Sequence, residues 1–137
     1  MTSQLQQMAE FCTECAKAAS ARLADFPEKP ADPAQAAIWN VQLHELGGQI
    51  NTLLQRSNTF LTLDMNAALK DHAASLNGVA EATAKVKAQI AQIQKISATL
   101  SKIGDVIGFV TKVIALVGAP TPGNAAAVAE GLKGLLG

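Results

Sequence analysis

Two runs of apolar residues, spaced alternately four and three apart, restrict this chain more than any other feature. Trp39, Leu43, Leu46, Ile50, Leu53, Ser57 and Phe60 form the first, with Ser57 its one polar member. Leu76, Val79, Thr83, Val86, Ile90, Ile93, Ser97 and Leu100 form the second, which continues to Gly104 and Ile107. A mean step of about 3.5 residues keeps side chains on one face of an α-helix and does not fit the two-residue alternation of a strand. Composition agrees. Alanine, the best helix former, occurs 26 times, whereas aromatic residues are 4% of the chain and tyrosine is absent. The predicted class is all-α.

Local signals mark the helix boundaries. A first helix is expected over about 3–24, starting at Thr2 or Ser3, with Leu5, Met8, Cys12, Cys15 and Ala19 as its apolar stripe. "DFPEKPADP" (25–33) then interrupts it with three prolines. Asp32 suits the N-cap of a second helix over about 34–62, with Pro33 in its first turn and Gln35 at a capping-box position. The two seams are out of step by five residues, which demands a break between 62 and 78. Asp64 offers a helix start and Asn77-Gly78 an alternative turn. The earlier site is preferred, which gives one long helix over 65–117. Gly118, Pro120 and Pro122 form a Gly/Pro-rich break at 118–123, before a short helix over about 122–135 weakened by Gly131 and Gly134. The expectation is one helical domain spanning 1–137, an elongated bundle of three main helices and a short fourth. Trp39, Phe60, Ile90, Ile93 and Leu100 are its expected core.

Candidate chemistry is sparse. Cys12-x-x-Cys15 is the spacing of a redox dithiol or half a zinc site, but it lacks a βαβ context and two further nearby ligands. Both cysteines fall on the first helix's apolar stripe and read as core. His44-Glu45-Leu46-Gly47-Gly48 opens like a metalloprotease motif, yet glycine stands where the second histidine must be. Asp71 and His72 are adjacent and so point apart on a helix. Phosphate-binding loops, nucleophile elbows and Glu-x-x-His pairs are missing. The chain reads as non-enzymatic, with no cofactor and no metal. Two cysteines do not make a secreted disulfide framework, and "MTSQLQQMAEFC" lacks the basic and apolar regions of a signal peptide. A cytoplasmic location is the default expectation, with membrane association and leaderless export left open.

Formal net charge is zero, so no global footprint for nucleic acid exists, and none is expected as a partner. Charge is nonetheless uneven. Residues 1–34 carry a net −2 and residues 79–118 a net +3, which suits an acidic helix beside a basic one, or a basic helix drawn to an anionic surface.

"KIGDVIGFVTKVIALVGAP" (102–120) is the most apolar stretch. On a helical projection Ile103, Val106, Ile107, Phe109, Val110, Val113, Ile114, Leu116 and Val117 form an arc of about 200°, wider than one buried face requires. It is no ordinary membrane anchor. Ile103 to Gly118 is 16 residues, short of the roughly 20 needed, and Asp105 near a span centre costs about 2.5–3.5 kcal/mol. The arc is therefore buried between helices of this chain or of a second copy, or it meets lipid, where Gly104-x-x-x-Gly108 permits close helix contact. In the latter sense the chain is similar in pattern to α-helical pore-forming toxins, whose long helices shelter an apolar segment until they meet lipid. No residue is carried over from that likeness. The leading expectation is a helical interaction protein that self-associates or binds a partner helix through its seams and the 103–117 face. The alternative is a membrane-active protein using 103–118 on an anionic surface.

Overall fold

The computed structural model describes residues 3–63 and 67–136, with backbone alone at 67 and 68. Among them the fold is all-α. Helix α1 spans Gln4–Ala24. Ser3 Oγ accepts from the Gln6 backbone N–H and the Gln6 side chain accepts from the Ser3 N–H, a closed capping box. Helix α2 spans Pro33–Thr62 and begins as its residues dictate, with the Asp32 carboxylate accepting from the Gln35 N–H at 3.1 Å and proline in the first turn.

Beyond α2 the chain departs from the expected single helix over 65–117. The expected cap Asp64 and the helix start at 65 lie outside the described residues. In place of one helix the chain forms a single turn, helix α3 (Ala67–Lys70), a 3-10 turn (Ala73–Leu76), helix α4 (Val79–Gln92), helix α5 (Ile96–Gly118) and helix α6 (Pro122–Leu136). The first interruption has a local cause. Gly78 holds φ at +89°, a left-handed geometry that side-chain-bearing residues resist, and it opens α4.

The second interruption has none. Ile93, Gln94 and Lys95 include no helix breaker, yet Ile93 and Lys95 are extended, with ψ of 128° and 132°. The seam itself runs through this link without losing step. Packing decides the matter. Folding back brings Ile103, Val106, Val110 and Val113 into full burial, each contributing about 1.5–3 kcal/mol. The helical hydrogen bonds forgone are worth about 1 kcal/mol apiece. The Arg22 guanidinium takes up one freed carbonyl, that of Gln94, at 3.3 Å.

Helix α1 lies at the centre, with eight buried side chains including Met8, Phe11, Cys12 and Cys15. Helix α2 returns antiparallel to it: Ser57 Oγ donates to the Ala9 carbonyl at 2.9 Å and lies 2.8 Å from the Thr13 hydroxyl. Helix α4 runs parallel to α1, from Gln4 beside Ala73 and Asn77 to Glu14 beside Lys87. Helices α5 and α6 form an antiparallel hairpin tied at both ends. Asn124 Nδ2 donates to the carbonyls of Ala115 and Ala119, and Lys102 Nζ donates to that of Leu135 at 2.8 Å. These ties, with Val128, Leu132 and Leu135 buried, hold a helix whose glycines make it weak alone.

Of the expected core, Phe60, Ile90 and Leu100 are buried. Trp39 and Ile93 are only half-buried. Ile93 sits in the link, and Trp39 sits where α2 has outrun its neighbour.

Candidate partner-binding surface

The apolar arc of α5 faces into the protein. Ile103, Val106, Phe109, Val110, Val113 and Leu116 are buried, and Ile107, Ile114 and Val117 are half-buried against the same core. Its width reflects neighbours on more than one side, since α5 packs on α1, α2 and α6. Gly104 and Gly108 face a cleft of about 380 Å3 between α5 and α6, shared with Gly131, Gly134, Asp105, Lys112 and Glu130. No helix among the described residues is long and apolar enough to cross a membrane.

The cysteines lie in the core. Both are free and fully buried. Burial pushes the Cys12 thiol up to about 12, against a smaller opposing pull from Arg56. Burial likewise pushes Cys15 up to about 12, with Cys12 and Glu14 adding to it and Lys102 opposing. A thiol so buried is a poor nucleophile near neutral pH. Among the described residues no group of three or more His, Cys, Asp or Glu is placed to hold a metal ion. His44 bonds through Nδ1 to the Asn40 carbonyl of its own helix at 2.8 Å. A second cleft, of about 530 Å3, lies between α1 and α2. In it Lys17 pulls the Glu14 carboxyl below its usual range, with Lys87 assisting.

The surface that stands out is on α2. This helix has 30 residues against 21 in α1, so its first turns have no α1 beside them. From Pro33 to Glu45 no side chain is buried, and the first that is buried is Leu46. This arm is about 20 Å long at 1.5 Å per residue. The proline-rich loop over 25–32 is held to it by Trp39, whose indole N–H donates to the Pro27 carbonyl at 2.7 Å. The Trp39 ring packs on Phe26 with centroids 5.7 Å apart. Beside this anchor Ile38 is 58% and Val41 65% exposed. A cleft of about 290 Å3 opens between loop and helix, lined by Pro27, Glu28, Pro30, Ile38 and Trp39 among others.

Sequence reasoning placed Trp39 on a core seam and gave Ile38 and Val41 no role. The available signal was their position: both lie off the seam, Ile38 on its flank and Val41 on the side of α2 facing away from Leu46 and Leu53. Comparison with protein-family models, curated proteins and solved structures finds no match for the chain.

Proposed function

We propose that this protein is a non-enzymatic helical bundle that binds another protein, or a second copy of itself, through the uncovered arm of α2. One observation carries the reading. Ile38 and Val41 stand exposed on a helical stretch with no buried side chain, beside an indole already fixed by a hydrogen bond and a ring contact. Singly exposed apolar residues are ordinary, but an apolar ledge next to a rigid aromatic anchor is the usual centre of a protein interface. The 103–117 arc, which the sequence also nominates as a contact surface, is engaged within the fold, so the partner surface moves to α2.

Photocrosslinking tests the reading. A benzophenone amino acid placed at Val41 is expected to give a discrete heavier adduct in extracts of the native cell, whether with a second copy or another protein. The same group at Lys133, exposed on α6, is the control. Equal, diffuse labelling at both positions counts against the arm.

A second reading is supported by α5. It is the most apolar helix of the fold and is flanked by non-helical links at 93–95 and 119–121; the second is the turn of the α5–α6 hairpin, and the first is a pivot from which the hairpin can swing toward lipid. Flotation on anionic and neutral liposomes at low and high salt tests it, with Ile114→Asp as control. Wild-type protein that floats while the variant stays behind supports a membrane-active bundle. Protein that stays down throughout rejects it.

A further inference from the structure

We infer that the α2 arm receives a cationic amphipathic helix of a partner protein, whose apolar side chains lie on Ile38 and Val41 and whose lysines or arginines meet the carboxylates around them. This rests on the arm being the docking surface and adds the chemistry of its occupant.

Charge complementarity carries it. Residues 25–45 hold Asp25, Glu28, Asp32 and Glu45 against Lys29 alone, a net −3 in a chain whose total is zero. Ion pairing does not neutralise them. Among the described residues the ion pairs join Glu14 to Lys17 and Lys87, both remote from the arm. Asp32 accepts the Gln35 N–H, and the α2 dipole returns about half a positive charge at that point. Asp25, Glu28 and Glu45 are exposed, and Glu28 lines the cleft beside Ile38 and Trp39.

An apolar ledge with Glu28 beside it, on a stretch of net −3 charge, repels anionic lipid and nucleic acid, and it steers a positively charged helix toward itself. A second copy would present an arm with this same excess of negative charge, so pairing arm to arm opposes like charges.

The probe is a labelled 18-residue peptide of leucine and lysine patterned as an amphipathic helix. Its twin carries glutamate for every lysine. Binding to the full chain is read by fluorescence anisotropy at 50 and 500 mM salt. The Leu/Lys peptide is expected to bind, to weaken as salt rises, and to exceed its twin by at least about tenfold. Glu28→Gln with Glu45→Gln should weaken it by about tenfold, as two rim pairs allow. Ile38→Ser should weaken it at both salt concentrations. All three positions are exposed, and circular dichroism confirms the fold of each variant.

Several outcomes overturn the inference. If both peptides bind alike and Ile38→Ser weakens both, the arm docks helices without charge selection, and the inference falls while the proposed function stands. If Leu/Lys binding ignores all the variants, the peptide sits elsewhere. No binding of either peptide rejects a cationic helix as occupant. Sedimentation in the same buffers that finds a dimer dissolved by Ile38→Ser assigns the ledge to self-association instead.

Discussion

Phe11 and Phe109 meet edge to face, their ring centroids 5.6 Å apart and their planes at 78°. This contact joins the central helix to the hairpin and is closed to water, at 0% and 2% exposure. Either Phe→Ala change should cost about 3–5 kcal/mol. A double-mutant cycle by urea unfolding should return about 0.5–1.5 kcal/mol of coupling. Additive losses would mean that the rings contribute through burial alone.

Ser57 sits on the α2 seam because its hydroxyl is used there. Ser57→Ala removes the bond to the Ala9 carbonyl and the contact with the Thr13 hydroxyl. The expected loss is about 1–2 kcal/mol, which Thr13→Val in the same chain should partly relieve by removing the stranded hydroxyl. A melt of the single and double variants checks this.

The two thiols give the protein an alkaline weakness. Their folded-state values near 12 lie above the ordinary 9.0. Below pH 9 both states hold the protons and the stability is whole. Above it the unfolded chain ionises first, so stability falls as pH climbs from about 9 toward 12. Cys12→Ala/Cys15→Ala should flatten this part of the pH profile, whatever it costs at neutral pH. At pH 8 a thiol-reactive disulfide reagent should modify native protein no faster than it unfolds.

Glycines divide by what surrounds them. At Gly48 and Gly108 an added Cβ meets no atom within 4 Å, so alanine should stabilise each helix by about 0.5–1 kcal/mol. At Gly131 it would lie 3.2 Å from the Phe109 ring, which is fixed by Phe11, and the gain should vanish or reverse. Gly78→Ala should destabilise by more than about 1 kcal/mol through its positive φ. Thermal melts rank all four.

What was legible in the sequence was what is decided within a few residues. Ser3 and Asp32 start helices by bonding residues three further on, Pro33 suits a first turn through its fixed φ, and the prolines at 27 and 30 keep the chain between them non-helical. The seams also announced helices faithfully. They could not say where a helix stops being continuous. Ile93, Gln94 and Lys95 are tolerated in a helix, and only burial of α5 on the far side of the core bends the chain there. Nor does a seam reveal whether anything faces it. Trp39 and Leu43 continue the α2 periodicity, but α1 ends at Ala24, too early to cover them. For α5 the pattern showed how much apolar surface must be hidden, while its neighbours depend on contacts between segments distant in sequence.

Trp39 is the chain's single tryptophan, and there is no tyrosine. Light absorbed at 295 nm is therefore absorbed at the arm, by an indole that is half-buried while the core lies elsewhere. The emission of this protein reports the condition of about 20 Å of one helix, and circular dichroism at 222 nm reports the whole. On heating, the two signals should part company, the indole changing first as the loop over 25–32 lets go. In most small domains such disagreement between probes signals a populated intermediate. Here it is the arm loosening from a bundle that is still folded.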